Sequence, residues 1–229
     1  MSLSQLKTYL QENIAGQVLE MEPMSKHTSF RIGGPADLLA MPKNLEDIAT
    51  IIGKAKELNV PVTVIGNGSN ILVKDKGIRG LVLKIGNALN GMECSGNAIV
   101  AEAGVSLAAV SNQAAKHGLT GLEFAVGIPG SLGGAVFMNA GAYDGEMKNV
   151  VTAVEVMTKE GKIINVAHNE LDFSYRHSAL QNMDGIIVKI IMELTEGDSK
   201  LIADKMADFT NRRITKQPLD VPNAGSMFK

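Results

Sequence analysis

Two stretches of this sequence are rich enough in glycine and small polar residues for a backbone to approach a phosphate closely. The first is Ile65-Gly66-Asn67-Gly68-Ser69-Asn70-Ile71-Leu72. Glycine accepts positive φ and leaves main-chain N–H groups uncovered, so such a turn can converge on phosphate oxygens, with Ser69 and Asn70 adding side-chain donors. It does not match the dinucleotide fingerprint, because Ile71 stands where a third small residue belongs, and no Walker lysine follows. An ordinary tight turn uses the same residues. The second stretch runs from Gly121 to Tyr143 and includes Gly127, Ile128, Pro129, Gly130, Ser131, Gly133, Gly134, Asn139, Gly141 and Ala142. It offers N–H and C=O groups to something flat or phosphorylated with no side-chain bulk between them. Close packing between elements is the alternative. Glycine in regular structure costs about 0.5–1 kcal/mol relative to alanine, so this density implies an offsetting use.

Two further segments carry charge or hydroxyls. In Asp172-Phe173-Ser174-Tyr175-Arg176-His177-Ser178 an arginine flanked by aromatics can grip a carboxylate at two points; a surface arginine beside a core tyrosine fits equally. Near the C-terminus, Arg212, Arg213 and Lys216 either hold phosphates or complement a helix dipole. Asn223-Ala224-Gly225-Ser226 is turn chemistry that presents Ser226, whose hydroxyl can give a proton to developing negative charge. His27, His117, His168 and His177 lack metal-ligand spacing, so no metal is implied.

The elements that must position these residues follow from periodicity. Leu3, Leu6, Leu10 and Ile14 predict a first amphipathic helix closed by Gly16. Lys26 to Met41 reads as a strand bending into a loop at Gly33-Gly34-Pro35. Asn44 caps a helix to about Leu58 that presents Ile48, Ile51, Ile52 and Ala55, and Pro61 forbids its continuation. Val62–Ile65 is a buried strand, and beyond the glycine turn Ile71-Leu72-Val73 reads as extended. Leu81–Ile85 and Ala98–Ala101 are strands, with turn-rich text from Asn87 to Asn97 between them. Ser106 caps a helix with Leu107, Val110 and Ala114 inward and Gly118 at its end. Val151–Thr158, Lys162–Val166 and Ile186–Leu194 predict a small antiparallel sheet. A last helix starts near Ser199, lays Leu201, Ile202, Met206 and Phe209 along one side, and ends before Pro218. The fold class is α+β, with two lobes and a stub.

The chain has 229 residues, 45% hydrophobic and 20% charged, with a formal net charge of −2. That composition excludes disorder and a basic nucleic-acid footprint. Cys94 is the only cysteine, so an intramolecular disulfide is impossible and a reducing compartment is expected. There is no run of about 18 apolar residues and no signal-peptide pattern, so we expect a cytoplasmic protein without membrane insertion.

Taken together and in this order, Gly66-Asn67-Gly68-Ser69-Asn70, Gly127-Ile128-Pro129-Gly130-Ser131 with Asn139-Ala140-Gly141-Ala142-Tyr143, Ser174-Tyr175-Arg176-His177-Ser178 and Asn223-Ala224-Gly225-Ser226-Met227-Phe228-Lys229 closely resemble the UDP-N-acetylenolpyruvoylglucosamine reductases. The resemblance implies a two-lobed FAD-binding module of the vanillyl-alcohol-oxidase (PCMH) type. Its lobes would span residues 1–84 and 85–198, and residues 199–229 would start a truncated C-terminal substrate domain. It implies that NADPH reduces FAD and that the flavin passes hydride from N5 to the enolpyruvyl double bond of a UDP-sugar, in peptidoglycan precursor synthesis. Arg176 then matches the carboxylate clamp and Ser226 the proton donor. Tyr175, Arg213 and Lys216 match positions around substrate and nucleotide phosphates.

Two departures from the pattern matter. The segment between Arg176 and Ile186 has no tyrosine, as in the subtype lacking a substrate-covering tyrosine loop. The residues end at Lys229, before a family glutamate that assists proton delivery, so we expect flavin binding with poor turnover. Gly66–Leu72 contains no histidine, and FAD is expected to be non-covalent. The competing expectations are another FAD-linked oxidoreductase of the superfamily and a non-catalytic flavin- or nucleotide-binding module.

Overall fold

The computed structural model describes residues 2–218 and 220–223. In the first lobe, α1 (Ser2–Asn13) leads into β1 (Gln17–Pro23), β2 (Pro35–Met41), α2 (Leu45–Glu57), β3 (Val62–Ile65) and β4 (Ile78–Lys84). The sheet order is β1-β2-β4-β3, with β2, β4 and β3 parallel and β1 antiparallel to β2. Asn44 caps α2 by accepting the Asp47 N–H at 2.8 Å. The buried Asp47 carboxylate in turn accepts the N–H groups of Ala15 (2.9 Å) and Lys43 (2.8 Å), which fixes α1 against α2.

Alternation along the strands divides the apolar residues between two faces. Leu38, Leu81 and Leu83 join the main core with Leu6, Ile48 and Ile51. Leu39, Val82 and Ile65 turn the other way, into a smaller core with Met24, Ala36 and Val73.

The second lobe contains β5 (Met92–Ser95), β6 (Ala98–Glu102), α3 (Leu107–Lys116), β7 (Leu119–Thr120), α4 (Leu132–Phe137), β8 (Gly141–Ala142), β9 (Gly145–Glu146), β10 (Val151–Thr158), β11 (Ile163–Ala167), β12 (Gly185–Glu193) and β13 (Thr195–Glu196). Five of these strands form an antiparallel sheet in the order β11-β10-β12-β6-β5. The chain then enters α5 (Ser199–Lys216). Ser106 caps α3 through the Ala109 N–H, and Gly118 ends it at φ +67°. The main core runs without a break from α1 and α2 into α3 and the five-stranded sheet, so the lobes share packed residues.

Four expectations are corrected. In 26–41 the loop comes first and the strand starts at Pro35, where proline's missing N–H is tolerated. Ile71–Val73 joins no sheet; the segment is held instead by the Gly34 N–H on Lys74 O (3.1 Å) and by burial of Val73. Asn87–Asn97, read as turn-rich, contains β5. Leu201 is 68% exposed, while Ile202, Met206 and Phe209 carry the buried stripe of α5.

Candidate functional site

The two glycine-rich segments meet each other. Ser69 Oγ donates to Pro129 O at 3.0 Å, which bonds the first loop to the second. A Cβ on Gly66 would stand 2.2 Å from Ser131 Oγ, and one on Gly130, at φ +133°, 2.9 Å from Ser69 Oγ. Gly68 takes φ +67°, and its missing Cβ would lie 2.0 Å from the His27 carbonyl oxygen. The crossing therefore requires bare backbone on both sides. Asn67, Asn70 and Pro129 remain exposed, and Ile128 is half-buried.

Ser131 is buried and caps α4 by accepting the Gly134 N–H at 3.4 Å. The short helix is buried within the Gly/Ala stretch, where its glycines hid it from a reading by propensity. Not every glycine of that stretch faces the crossing. Gly133 packs on Ala103, from whose Cβ an added Gly133 Cβ would stand 2.8 Å, and donates to Ala103 O at 2.9 Å. Gly141 packs on Glu146 across a hairpin. For these two the packing role is the one the contacts support.

Loops 66–70 and 127–131 contain no charged residue. The nearby cation comes from α5: Arg213 Cδ lies 3.0 Å from where a Gly127 Cβ would stand. Burial pushes the Arg213 guanidinium's pKa down, and Tyr143 partly opposes this. Such an arrangement fits a dinucleotide cofactor: paired bare-backbone loops without carboxylates, and an arginine beside one of them.

The hairpin β8–β9 joins the remaining candidates. Asn139, 1% exposed and at φ +40°, donates to Glu146 Oε2 (3.0 Å) and Ser174 O (2.9 Å) and accepts the Lys148 N–H (2.9 Å). Ser174 and His177 exchange backbone hydrogen bonds, each 3.1 Å, around a tight turn in which Arg176 sits at φ +56°. A bulky side chain in the left-handed region is strained, and such strain gathers at functional positions. Arg176 Nη2 donates to Gly141 O at 3.0 Å, and its guanidinium lies 5.3 Å from the Tyr175 ring centroid. Tyr175 is 59% exposed. Lys216 is exposed in the last turn of α5, and Ser226 lies outside the described residues.

Several residues at this site have a role that the sequence did not assign to them. Tyr143 and Asp144 occupy the hairpin turn at φ +51° and +64°, a geometry that asparagine and glycine normally supply. Tyr143 stacks on Phe209 at 4.4 Å and donates to Phe209 O at 3.2 Å, tying the hairpin to α5. Ser178, fully buried, donates to Phe137 O at 2.8 Å and so anchors the Arg176 turn to the end of α4. The Asp144-Gly145 pair is the one local signal that could have revealed the hairpin.

Beside the hairpin, Glu123 is 4% exposed and lines a cavity of about 340 Å³ with Tyr143, Lys205 and Phe209. Burial raises the Glu123 pKa. Hydrogen bonds from Thr120 Oγ1 (2.5 Å) and the Gly121 N–H (2.9 Å), with the Lys205 charge, outweigh burial and hold the carboxyl below its usual range. Among the described residues, none of those expected to hold cofactor or substrate lines this cavity.

Residues 36–167 match the model of the FAD binding domain family. The chain is 49% identical over 213 residues to the UDP-N-acetylenolpyruvoylglucosamine reductase of Pediococcus pentosaceus, covering 93% of this chain and 71% of that protein. It is 46% identical over 227 residues to the enzyme of the same name from Caldanaerobacter subterraneus, covering 99% and 74%. The crystal structure of the reductase from Thermus caldophilus superposes with a TM-score of 0.79 at 31% identity, covering 94% of this chain and 75% of that one.

Proposed function

This chain belongs to the UDP-N-acetylenolpyruvoylglucosamine reductase family, and on that premise we propose that it reduces the enolpyruvyl group of UDP-N-acetylglucosamine-enolpyruvate to UDP-N-acetylmuramate, using non-covalent FAD and NADPH. The reaction is a step of peptidoglycan precursor synthesis. The observation that carries the cofactor reading is the bare-backbone crossing at Ser69 and Pro129, inside the residues matched by the FAD family. Residues 66–70 and 127–131, with Gly134 and Ala142 nearby, hold the cofactor's phosphates and flavin by main-chain contact. Both His27 ring nitrogens already face protein partners, which supports non-covalent binding.

FAD bound there would supply hydride transfer between NADPH and the substrate double bond. Hydride addition at one carbon builds negative charge at the next, delocalised into the attached carboxylate. Arg176, whose guanidinium is held by its bond to Gly141 O, clamps that carboxylate. Ser226 holds the proton that the carbanion takes up. Tyr175 flanks the clamp, and Arg213 and Lys216 take the phosphates.

An anaerobic titration tests the reading. NADPH should bleach the flavin band, and the enolpyruvyl UDP-sugar should restore it. Ser226→Ala should leave bleaching intact and slow recovery by about 10²- to 10⁴-fold. Equal rates in both half-reactions for that variant would remove Ser226 from the proton step, and a colourless protein that takes up no FAD would refute the reading as a whole.

A further inference from the structure

The segment around His27 packs beneath the first glycine loop. The His27 ring lies between two charged side chains: Nε2 is 3.1 Å from Glu22 Oε1 and Nδ1 is 3.2 Å from Lys84 Nζ. An ammonium only donates, so Nδ1 accepts from Lys84 and the ring's one proton sits on Nε2, donated to Glu22. Lys84 is half-buried, and burial lowers its pKa. Burial pushes the Glu22 pKa up, but hydrogen bonds from His27 and Lys26 outweigh that and keep it a carboxylate.

The row crosses the first sheet from the end of β1 to the end of β4 and meets the backbone of the first glycine loop. Lys84 pairs in register with Ile65, the residue before Gly66. The His27 carbonyl fills the space beside Gly68, and the Ser29 N–H donates to Gly68 O at 3.0 Å. Fixing the imidazole therefore fixes the main chain on which Gly68 rests.

We propose that Glu22, His27 and Lys84 form a positioning row that holds the Gly66–Asn70 loop in the conformation that receives the FAD pyrophosphate, with His27 as its central positioning residue. This rests on the reading of that loop as part of the FAD cradle. The row touches the loop's support and not the reacting atoms. Its signature is cofactor affinity that depends on the ring's hydrogen-bonding pattern.

Apo protein is titrated with FAD and followed by flavin fluorescence, for wild type, His27→Leu, His27→Gln and Lys84→Met. Glutamine can accept from Lys84 and donate to Glu22 in the same sense, whereas leucine can do neither. Losing hydrogen bonds to charged groups predicts that His27→Leu and Lys84→Met weaken FAD binding by about 10- to 100-fold, with His27→Gln within about 3-fold of wild type. Ring-nitrogen NMR of the wild type should show Nδ1 bare and Nε2 protonated. The proposal is overturned if His27→Leu lowers only the apo melting midpoint while FAD affinity is unchanged, if glutamine is as poor as leucine, or if Nδ1 carries the proton. Should His27→Leu not fold, Lys84→Met decides alone, and unchanged affinity there overturns the row. Failure of wild type to take up FAD would overturn the cradle reading, and the row with it; wild-type binding with indifferent variants overturns only the row.

Discussion

Gly66→Ala puts one methyl group where the lobes meet. Gly66 needs no unusual backbone angle, so the cost is purely steric: the new Cβ would stand 2.2 Å from Ser131 Oγ and 3.3 Å from Ser131 Cβ. A contact at the first distance cannot exist, and the loops must part by more than an ångström or Ser131 must abandon its cap on α4. Overpacking of this kind costs about 1–3 kcal/mol, which in cofactor affinity is about 5- to 150-fold. Removing the offending oxygen should recover most of that loss. In Gly66→Ala/Ser131→Ala the nearest remaining contact is the 3.3 Å one, which a shift of a few tenths of an ångström absorbs. Ser131→Ala by itself loses a cap whose bond is long, at 3.4 Å, and should cost no more than about 1 kcal/mol. FAD dissociation constants for the four proteins of this cycle, measured by flavin fluorescence, should show the double variant binding better than the sum of the single losses predicts. Additivity within about 0.5 kcal/mol would mean that the two residues do not touch in the loaded protein, and the crossing of loops would be refuted.

The other predictions address the clamp, the buried acid and the scaffold. Arg176→Lys keeps the charge and loses the two-pronged grip, so reoxidation by the enolpyruvyl sugar should slow about 10- to 100-fold while NADPH bleaching is unchanged; stopped-flow traces of both halves check this. The Glu123 pKa is depressed on folding, so its carboxylate contributes stability above the unfolded value near 4.3, and that contribution disappears as pH falls through the folded value. Glu123→Gln should therefore lose about 1–3 kcal/mol at neutral pH and show a flatter loss of stability below about pH 4.3, read from urea unfolding across pH. Gly53 lies within α2, and a Cβ there would meet nothing within 4 Å. Gly53→Ala should gain about 0.5–1 kcal/mol and raise the melting midpoint by about 1–4 °C, which calorimetry would show.

Short-range rules made much of this fold readable. Asn44 and Ser106 each cap the helix expected of them, because a cap needs only its own side chain and an N–H three residues on. The alternation in β10 and β11 and the β-rich run of β12 marked the antiparallel sheet, because strand signals too are local. Where glycine density concealed an element, as in α4, local propensity pointed away from the structure, and burial of Leu132 and Val136 prevailed.

Residue types and their spacing marked what the chain is chemically equipped with: glycines that leave backbone bare, an arginine able to clamp a carboxylate, and helices and strands whose apolar stripes had to be buried. The pairings came from how the chain packs: Ser69 with Pro129, Gly66 with Ser131, Tyr143 with Phe209, and His27 between Glu22 and Lys84. Propensity and periodicity act over a few residues of chain. Apart from the Glu22–His27 bond, these contacts join distant segments that only the packing of the shared core brings together.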